Sequence, residues 1–143
     1  MAQMARTSTW HLPQPDLETQ PYWDAARDRR LLIKHCNACG QDFFYPRTYC
    51  PNCWSADTEW KEASGRGRVY TFTVVYQNDL PPFNERVPYV VAIVELEEGV
   101  RMTSNIEGVA PDDVRCDMPV HVAFRDEQRD GDTVSLPVFR PAD

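Results

Sequence analysis

Alternating hydrophobic and polar residues run through the C-terminal part of the chain, and each alternating segment predicts a β-strand. In the clearest one, Tyr70, Phe72, Val74 and Tyr76 occupy one face, and the residues between them occupy the other. Four further segments alternate or are rich in β-branched residues. The five predicted strands cover residues 70–76, 89–96, 100–106, 120–124 and 134–139.

The connections between these strands indicate a barrel. Glu97-Glu98-Gly99 predicts a hairpin turn, and Asp130-Gly131-Asp132 predicts a turn before the last strand. Pro111-Asp112-Asp113 predicts one helical turn between the third and fourth strands. Five strands with a helical turn at that point fit an OB-fold barrel.

The N-terminal part has helical character. Asp16 can cap a helix that starts near Leu17 and runs to about Arg30, with Trp23 and Arg27 on one face. A short strand, Leu31-Leu32-Ile33, then leads into a segment with four cysteines. We therefore predict a mainly β protein in three parts: an N-terminal arm and helix (residues 1–33), a cysteine segment (34–62) and an OB-fold domain (63–143).

Charge and composition exclude several classes of function. The chain has 143 residues and a net charge of −7, and residues 66–143 carry 8 Arg against 14 Asp and Glu. Because phosphate backbones attract basic surfaces, this balance weighs against nucleic-acid binding. No apolar run approaches the roughly 18 residues of a membrane span, and the N-terminus lacks the apolar stretch of a secretion signal. We therefore expect a soluble cytoplasmic protein with no membrane partner.

Four of the five cysteines form two Cys-x-x-Cys pairs, Cys36 with Cys39 and Cys50 with Cys53. A two-residue spacer lets a tight turn point both sulfurs at one ion, and two such turns supply the four tetrahedral ligands that zinc requires. We predict one structural zinc ion per chain, because four thiolates leave no open position for catalysis. A rubredoxin-type iron site and a pair of redox dithiols are the alternatives.

The remaining reactive side chains form no catalytic set. His11 lies in the N-terminal arm, His35 adjoins a cysteine ligand, and His121 faces away from its apolar neighbours, so we expect His11 and His121 at the surface. Cys116 has no base nearby in the sequence. We assign no catalytic residue to this chain.

Two other groups of residues could bind a partner. A basic cluster near the helix end is either a solvated face or a contact for an acidic partner or for nucleotide phosphates. An aromatic group in the cysteine segment is either internal packing or a protein interface. The basic cluster comprises Arg27, Arg29, Arg30 and Lys34, and the aromatic group comprises Phe43, Phe44, Tyr45, Tyr49, Trp54 and Trp60.

Taken in order, these motifs resemble the DUF35 family, a rubredoxin-like zinc ribbon followed by an OB-fold domain. The resemblance covers about residues 17–141. One departure is Asp117, where the family often has glycine, but aspartate tolerates a left-handed backbone, so the turn is expected to persist. The resemblance to the family is based on the following residues and motifs: Trp23, Leu31, Cys36-x-x-Cys39-Gly40, Tyr45-Pro46-Arg47, Cys50-Pro51-x-Cys53, Ser64-Gly65-x-Gly67-x-Val69-Tyr70-Thr71, Pro88-Tyr89, Val94-Glu95-Leu96, Gly99, Met118-Pro119-Val120 and Phe139-x-Pro141.

The resemblance implies a non-catalytic accessory subunit of a thiolase-superfamily enzyme that acts on acyl-CoA, with a lipid-transfer-protein-like steroid side-chain aldolase as the favoured case. Partnership with a MaoC-type enoyl-CoA hydratase, a ketothiolase or an acyltransferase, and acyl-CoA binding by the chain alone, are the alternatives. The 143 residues include no hydratase segment, so a stand-alone module is expected.

The resemblance also implies a hetero-oligomer, a heterotetramer or larger. Arg27 and Arg30 are expected near CoA phosphates. The partner interface is expected to include Trp23, Phe43, Tyr45 and Arg47.

Overall fold

The computed structural model describes residues 10–142, so the first nine residues of the predicted N-terminal arm lie outside the described part. Within these residues, one helix precedes eight strands, with short 3-10 turns at Phe83–Glu85 and Pro111–Asp113. The elements are α1 (Gln20–Arg27), β1 (Leu32–Cys36), β2 (Asp42–Phe43), β3 (Thr58–Glu62), β4 (Arg66–Val75), β5 (Tyr89–Leu96), β6 (Arg101–Ile106), β7 (Pro119–Arg129) and β8 (Asp132–Pro141).

Strands β4 to β8 form a closed barrel in the order β4-β5-β6-β8-β7, and β7 pairs with β4 to close it. The β6–β8 contact is the parallel one, at Ile106 and Phe139. The 3-10 turn at Pro111–Asp113 lies between β6 and β7, where the sequence predicts a helical turn. This arrangement confirms the predicted five-stranded OB-fold barrel.

The face predicted for Tyr70, Phe72, Val74 and Tyr76 of the first barrel strand is wrong at its first and last residues. The register between β4 and β5 shifts between Val69 and Thr71, which marks a β-bulge. The bulge turns Val69 into the core and leaves Tyr70 at the surface. The guanidinium carbon of Arg101 lies over the Tyr70 ring, 3.7 Å from the ring centre. Phe72 and Val74 still pack on the core, whereas Tyr76 lies beyond the end of β4 and is exposed.

The helix is shorter than predicted. The carboxylate of Asp16 accepts the backbone N–H of Thr19 at 2.8 Å in a turn that precedes α1, instead of capping it. The helix ends at Arg27 because Arg29 has a left-handed backbone, with φ of 62°. Within residues 10–142, no helix is long and apolar enough to cross a membrane.

The N-terminal segments and the barrel share one core. Tyr22 of α1, Leu31 immediately before β1, and Ile33 of β1 belong to the same buried cluster as Val94 and Phe139 of the barrel. The sheet β2-β1-β3 continues away from this cluster to the cysteines. Its base is therefore anchored on the barrel, whereas its tip has only a small buried cluster of its own, which consists of Cys36, Phe43 and Cys50.

Candidate functional site, a four-cysteine metal centre

The four predicted cysteines meet at the tip of the β2-β1-β3 sheet. Their sulfur atoms all lie within 4.8 Å of one another. The Sγ atoms of Cys36 and Cys53 are 3.6 Å apart, and those of Cys39 and Cys50 are 3.7 Å apart. A zinc ion with sulfur ligands at about 2.3 Å needs sulfurs about 3.8 Å apart in a tetrahedron. The donor set therefore fits a tetrahedral metal ion.

Both Cys-x-x-Cys turns have the same backbone geometry. The N–H of Gly40 donates to the carbonyl of Cys36 at 2.8 Å, and the N–H of Trp54 donates to the carbonyl of Cys50 at 2.9 Å. Each donor residue has a left-handed backbone, with φ of 77° at Gly40 and 66° at Trp54. Glycine adopts this conformation at no steric cost, whereas tryptophan adopts it only with crowding between its side chain and the backbone.

The pKa values of two of the thiols, Cys39 and Cys53, shift in opposite directions. Hydrogen bonds, first among them one from the backbone of Gln41, lower the pKa of Cys39 to about 6. The backbone of Ser55 acts in the same direction on Cys53, but burial and the three neighbouring sulfurs raise the pKa of Cys53 to about 12. Four sulfurs this close cannot all be thiolates unless a cation lies between them, which is the role of a metal ion.

The residues around the centre differ in part from the sequence expectations. Phe43 is only 6% exposed and packs against Cys36 and Cys50, so its assignment to a partner interface is wrong. The reason is that its β2 position faces the sulfur cluster. His35 contacts the carboxylate of Asp42 on the neighbouring strand at 2.6 Å, and Asp42 also accepts from Lys61 at 2.7 Å.

The predicted basic cluster is divided among different contacts. Arg27 lies 3.5 Å from Asp132, and Arg29 forms a two-pronged salt bridge to Asp126 with N–O distances of 2.8 and 2.5 Å. Lys34 is buried, with its ammonium 4.7 Å from the ring centre of Trp60, and burial lowers its pKa. Arg30 is exposed and forms no salt bridge within residues 10–142.

Two of the predicted interface residues line one groove. Trp23 and Tyr45 contribute to a groove of about 360 Å³ between α1, the residues after β2, and the barrel strands β6 and β8. The barrel side is formed by Met102 and Pro137 among others, and sequence reasoning missed it because no local pattern links β6 and β8 to the ribbon. Arg47 is exposed and lies outside this lining.

A larger cavity of about 590 Å³ lies on the barrel, beside Phe83, Tyr89 and Glu127. The side chain of Glu127 is only 11% exposed and pairs with His11 at 3.0 Å and with Arg86 at 2.9 Å. The side chain of His11 is only 8% exposed, contrary to the expected surface position, because its ring lies against Glu127 of β7. His121, by contrast, is exposed.

Two family models match the chain in succession. Residues 23–59 match the model described as "ChsH2, rubredoxin-like zinc ribbon domain", and residues 60–125 match "ChsH2, C-terminal OB-fold domain". Among solved structures, the chain is similar to the "Ltp2-ChsH2(DUF35) aldolase", with 40% identity, a TM-score of 0.77, and coverage of 90% of this chain and 98% of that one.

Two curated relatives differ in size. A "DUF35 domain-containing scaffold protein" of Methanocaldococcus jannaschii is 42% identical over 113 residues, which cover 77% of this chain and 79% of the relative. A "Probable enoyl-CoA hydratase alpha subunit" of Thermomonospora curvata is 40% identical over 132 residues, which cover 91% of this chain. The match spans only 40% of the length of that second relative.

Proposed function

Because the chain belongs to the DUF35 family and joins a ChsH2-type zinc ribbon to a ChsH2-type OB-fold domain, we propose that it is a non-catalytic subunit of a thiolase-superfamily acyl-CoA enzyme. The favoured partner is a lipid-transfer-protein-like aldolase that cleaves a steroid side-chain CoA thioester by a retro-aldol reaction. In this account the partner supplies the reacting groups, and this chain supplies assembly and shape.

The observation that carries the proposal is the likeness to the Ltp2-ChsH2(DUF35) aldolase. The similar chain in that structure is matched over 98% of its length, so the likeness extends over ribbon and barrel together. A match of that extent supports a shared mode of assembly, in which a complete ribbon and barrel form the accessory part. We expect a heterotetramer or a larger hetero-oligomer.

We propose that one zinc ion per chain is bound by Cys36, Cys39, Cys50 and Cys53. The sulfur spacing supports this assignment. A zinc ion held by four thiolates contributes folding free energy and offers no open position to substrate or water. Other residues of the chain support this centre. Phe43 packs against the cysteines, and Asp42 links β2 to β1 through its contact with His35.

Trp23, Tyr45 and Arg47 are proposed as contacts for the partner, and Arg27 and Arg30 as contacts for CoA phosphates. The half-exposed ring of Tyr45, at 53%, supports the first assignment, since aromatic residues anchor protein interfaces. The exposed guanidinium of Arg30 supports the second, because arginine binds phosphate through two parallel hydrogen bonds.

A MaoC-type enoyl-CoA hydratase is the second candidate partner. The 40% identity to a probable enoyl-CoA hydratase alpha subunit favours it. The matched part covers only 40% of that relative, so the remainder of the relative lies outside this comparison. The two candidates are separated by testing both catalytic subunits side by side.

The experiment is a reconstitution. The purified chain, the Ltp2 subunit and a mixture of the two are compared by size-exclusion chromatography with light scattering and by retro-aldol turnover of a steroid side-chain CoA thioester. We expect no turnover by the chain alone, a stable hetero-oligomer in the mixture, and higher turnover than Ltp2 shows alone. Turnover by the isolated chain would refute the accessory role, and binding to a MaoC-type hydratase instead of Ltp2 would transfer the proposal to the second partner.

A further inference from the structure

The ribbon contains a long stretch that is almost free of charge. Residues 43–56 include one charged side chain, Arg47, although 26% of the whole chain is charged. Because the chain has a net charge of −7 and this stretch contributes +1, the rest of the protein carries −8. Loss of acidic residues and lysine, with retention of arginine and aromatic residues, is the composition of the buried centre of protein interfaces.

Three aromatic side chains of this stretch point to solvent. Tyr45 is 53% exposed, Tyr49 is 57% exposed and Trp54 is 78% exposed. Tyr49 and Trp54 flank the second Cys-x-x-Cys turn, where the N–H of Cys50 donates to the carbonyl of Ser55 at 3.0 Å. We call residues 45–54 the ribbon surface.

Trp54 has the least favourable position for its residue type. Its φ of 66° is left-handed, a conformation in which an L-side chain crowds the following carbonyl. The equivalent residue of the first turn is Gly40, which has no such crowding. Since most of the indole is exposed, little internal packing offsets this cost. Folding alone therefore does not account for tryptophan at this site.

We propose that the ribbon surface docks onto an Ltp2-type catalytic subunit, with Trp54 as its anchor. The partner site would present an apolar recess for the indole and a carboxylate for Arg47. This inference rests on the proposed accessory function and adds the surface and residue through which the partner is bound. Tryptophan and arginine are the residue types that most often dominate binding energy.

Charge favours this occupant over a second copy of the chain. The residues of the ribbon surface include one charged group, Arg47, and the neighbouring carboxylate of Glu18 already accepts the backbone N–H of Thr48. A symmetric contact between two copies would therefore bury two guanidinium groups with no carboxylate from residues 45–54 of either copy. A heterologous partner can supply the missing acid. The acidic remainder of the chain also disfavours close approach of two copies.

The test compares Trp54→Gly with wild type in two measurements that respond in opposite directions. Glycine relieves the left-handed strain, so the urea midpoint of Trp54→Gly is expected to equal or exceed that of wild type. Affinity for purified Ltp2, measured by calorimetry, is expected to fall about tenfold or more. Trp54→Asn, which also tolerates this backbone, is the second variant.

Tyr76→Ala provides the matched control, because Tyr76 is an exposed aromatic residue of the barrel, 69% accessible and outside the ribbon surface. Its affinity for Ltp2 is expected to equal that of wild type. Arg47→Glu is expected to slow association with Ltp2, and the slowing is expected to diminish at high salt.

The outcomes separate the two proposals. If Trp54→Gly and Trp54→Asn bind Ltp2 as well as wild type does, the ribbon anchor is wrong and the accessory function stands. If wild type itself does not bind Ltp2, the Ltp2-type partner is wrong and this inference falls with it. If wild type sediments as a homodimer and Trp54→Gly sediments as a monomer, the occupant of the ribbon surface is a second copy of the chain, and the proposal is overturned.

Discussion

At the scale of single residues, left-handed backbone at non-glycine positions occurs where helices and strands end or where the chain turns. Arg29 ends α1, Trp54 closes the second cysteine turn, Asp117 precedes β7 and Asp130 forms the β7–β8 turn. The sequence anticipated Asp117, where φ is 65° and aspartate keeps the turn. Arg29 could not be anticipated, because its conformation is supported by a distant salt bridge to Asp126 on β7.

The salt bridge between Arg29 and Asp126 is expected to make the stability of the fold depend on pH. The Arg29 guanidinium and then the Ser135 hydroxyl hold the pKa of Asp126 at about 2, against 3.8 for a free side chain. A depressed carboxyl pKa stabilises the fold above the unfolded value and loses that effect as the pH falls through the folded value. Asp126→Asn should therefore be less stable than wild type at pH 7, and the difference should shrink between about pH 4 and pH 2. Urea midpoints across this range measure it.

Asp79→Asn is the control, since Asp79 is exposed and has no salt bridge within the described residues. It removes the same charge and should leave the urea midpoint near that of wild type at every pH. A stability difference for Asp126→Asn that stays constant from pH 7 to pH 2 would show that the Arg29 contact is not its source.

At the scale of elements, the sequence predicts regular strands well and their ends poorly. Alternation and β-branched residues together located all five barrel strands, but β7 extends to Arg129, past the predicted end at residue 124. Residues 125–129 are polar and form side-chain hydrogen bonds and salt bridges; the carboxylate of Asp126, for example, accepts a hydrogen bond from the Ser135 hydroxyl at 2.6 Å. Hydrophobic alternation cannot detect such a strand. The turn predicted at Asp130-Gly131-Asp132 is present: it joins β7 to β8, with positive φ at Asp130 and Gly131.

The candidate site was predictable to the extent that it is local. Two Cys-x-x-Cys spacings are short-range signals, and the structure brings their four sulfurs together. The burial of Phe43 depends on which face of β2 meets the cysteines, and the groove beside Trp23 depends on where β6 and β8 pass. Both depend on contacts between distant segments, which a single sequence does not display.

The ribbon is the element whose stability should depend on metal. Its own buried cluster has only three residues, so we expect Cys36→Ser to unfold the ribbon tip. Hydrogen exchange should show loss of protection in residues 34–62 and retained protection in β5 and β6. Partner binding should be lost as well. Cys116→Ser is the matched control, because Cys116 is exposed and lies outside the sulfur cluster.

A normal exchange pattern and a normal complex for Cys36→Ser would mean that the metal is dispensable for the ribbon. Loss of protection throughout the barrel would mean instead that ribbon and barrel unfold together. The second result is physically reasonable only if the shared cluster of Tyr22, Leu31 and Ile33 depends on the ribbon tip.

At the scale of the whole molecule, the shared core holds ribbon and barrel in one orientation. The backbone N–H of Ala63 donates to the carbonyl of Leu31 at 2.9 Å, and the N–H of Val122 donates to the carbonyl of Gly65 at 2.7 Å. The linker between the two parts is thus bonded to both of them. A fixed orientation suits a subunit that presents a surface to a partner, because little conformational entropy is lost on binding.

The proposed accessory role depends on a metal ion that is enclosed by sulfur and takes no part in chemistry. X-ray absorption at the zinc edge of the purified chain, together with metal analysis, tests this most directly. We predict one zinc per chain with four sulfur neighbours at about 2.3 Å and no oxygen or nitrogen in the same shell. Three sulfurs with an oxygen neighbour, or a chain without zinc, would contradict it.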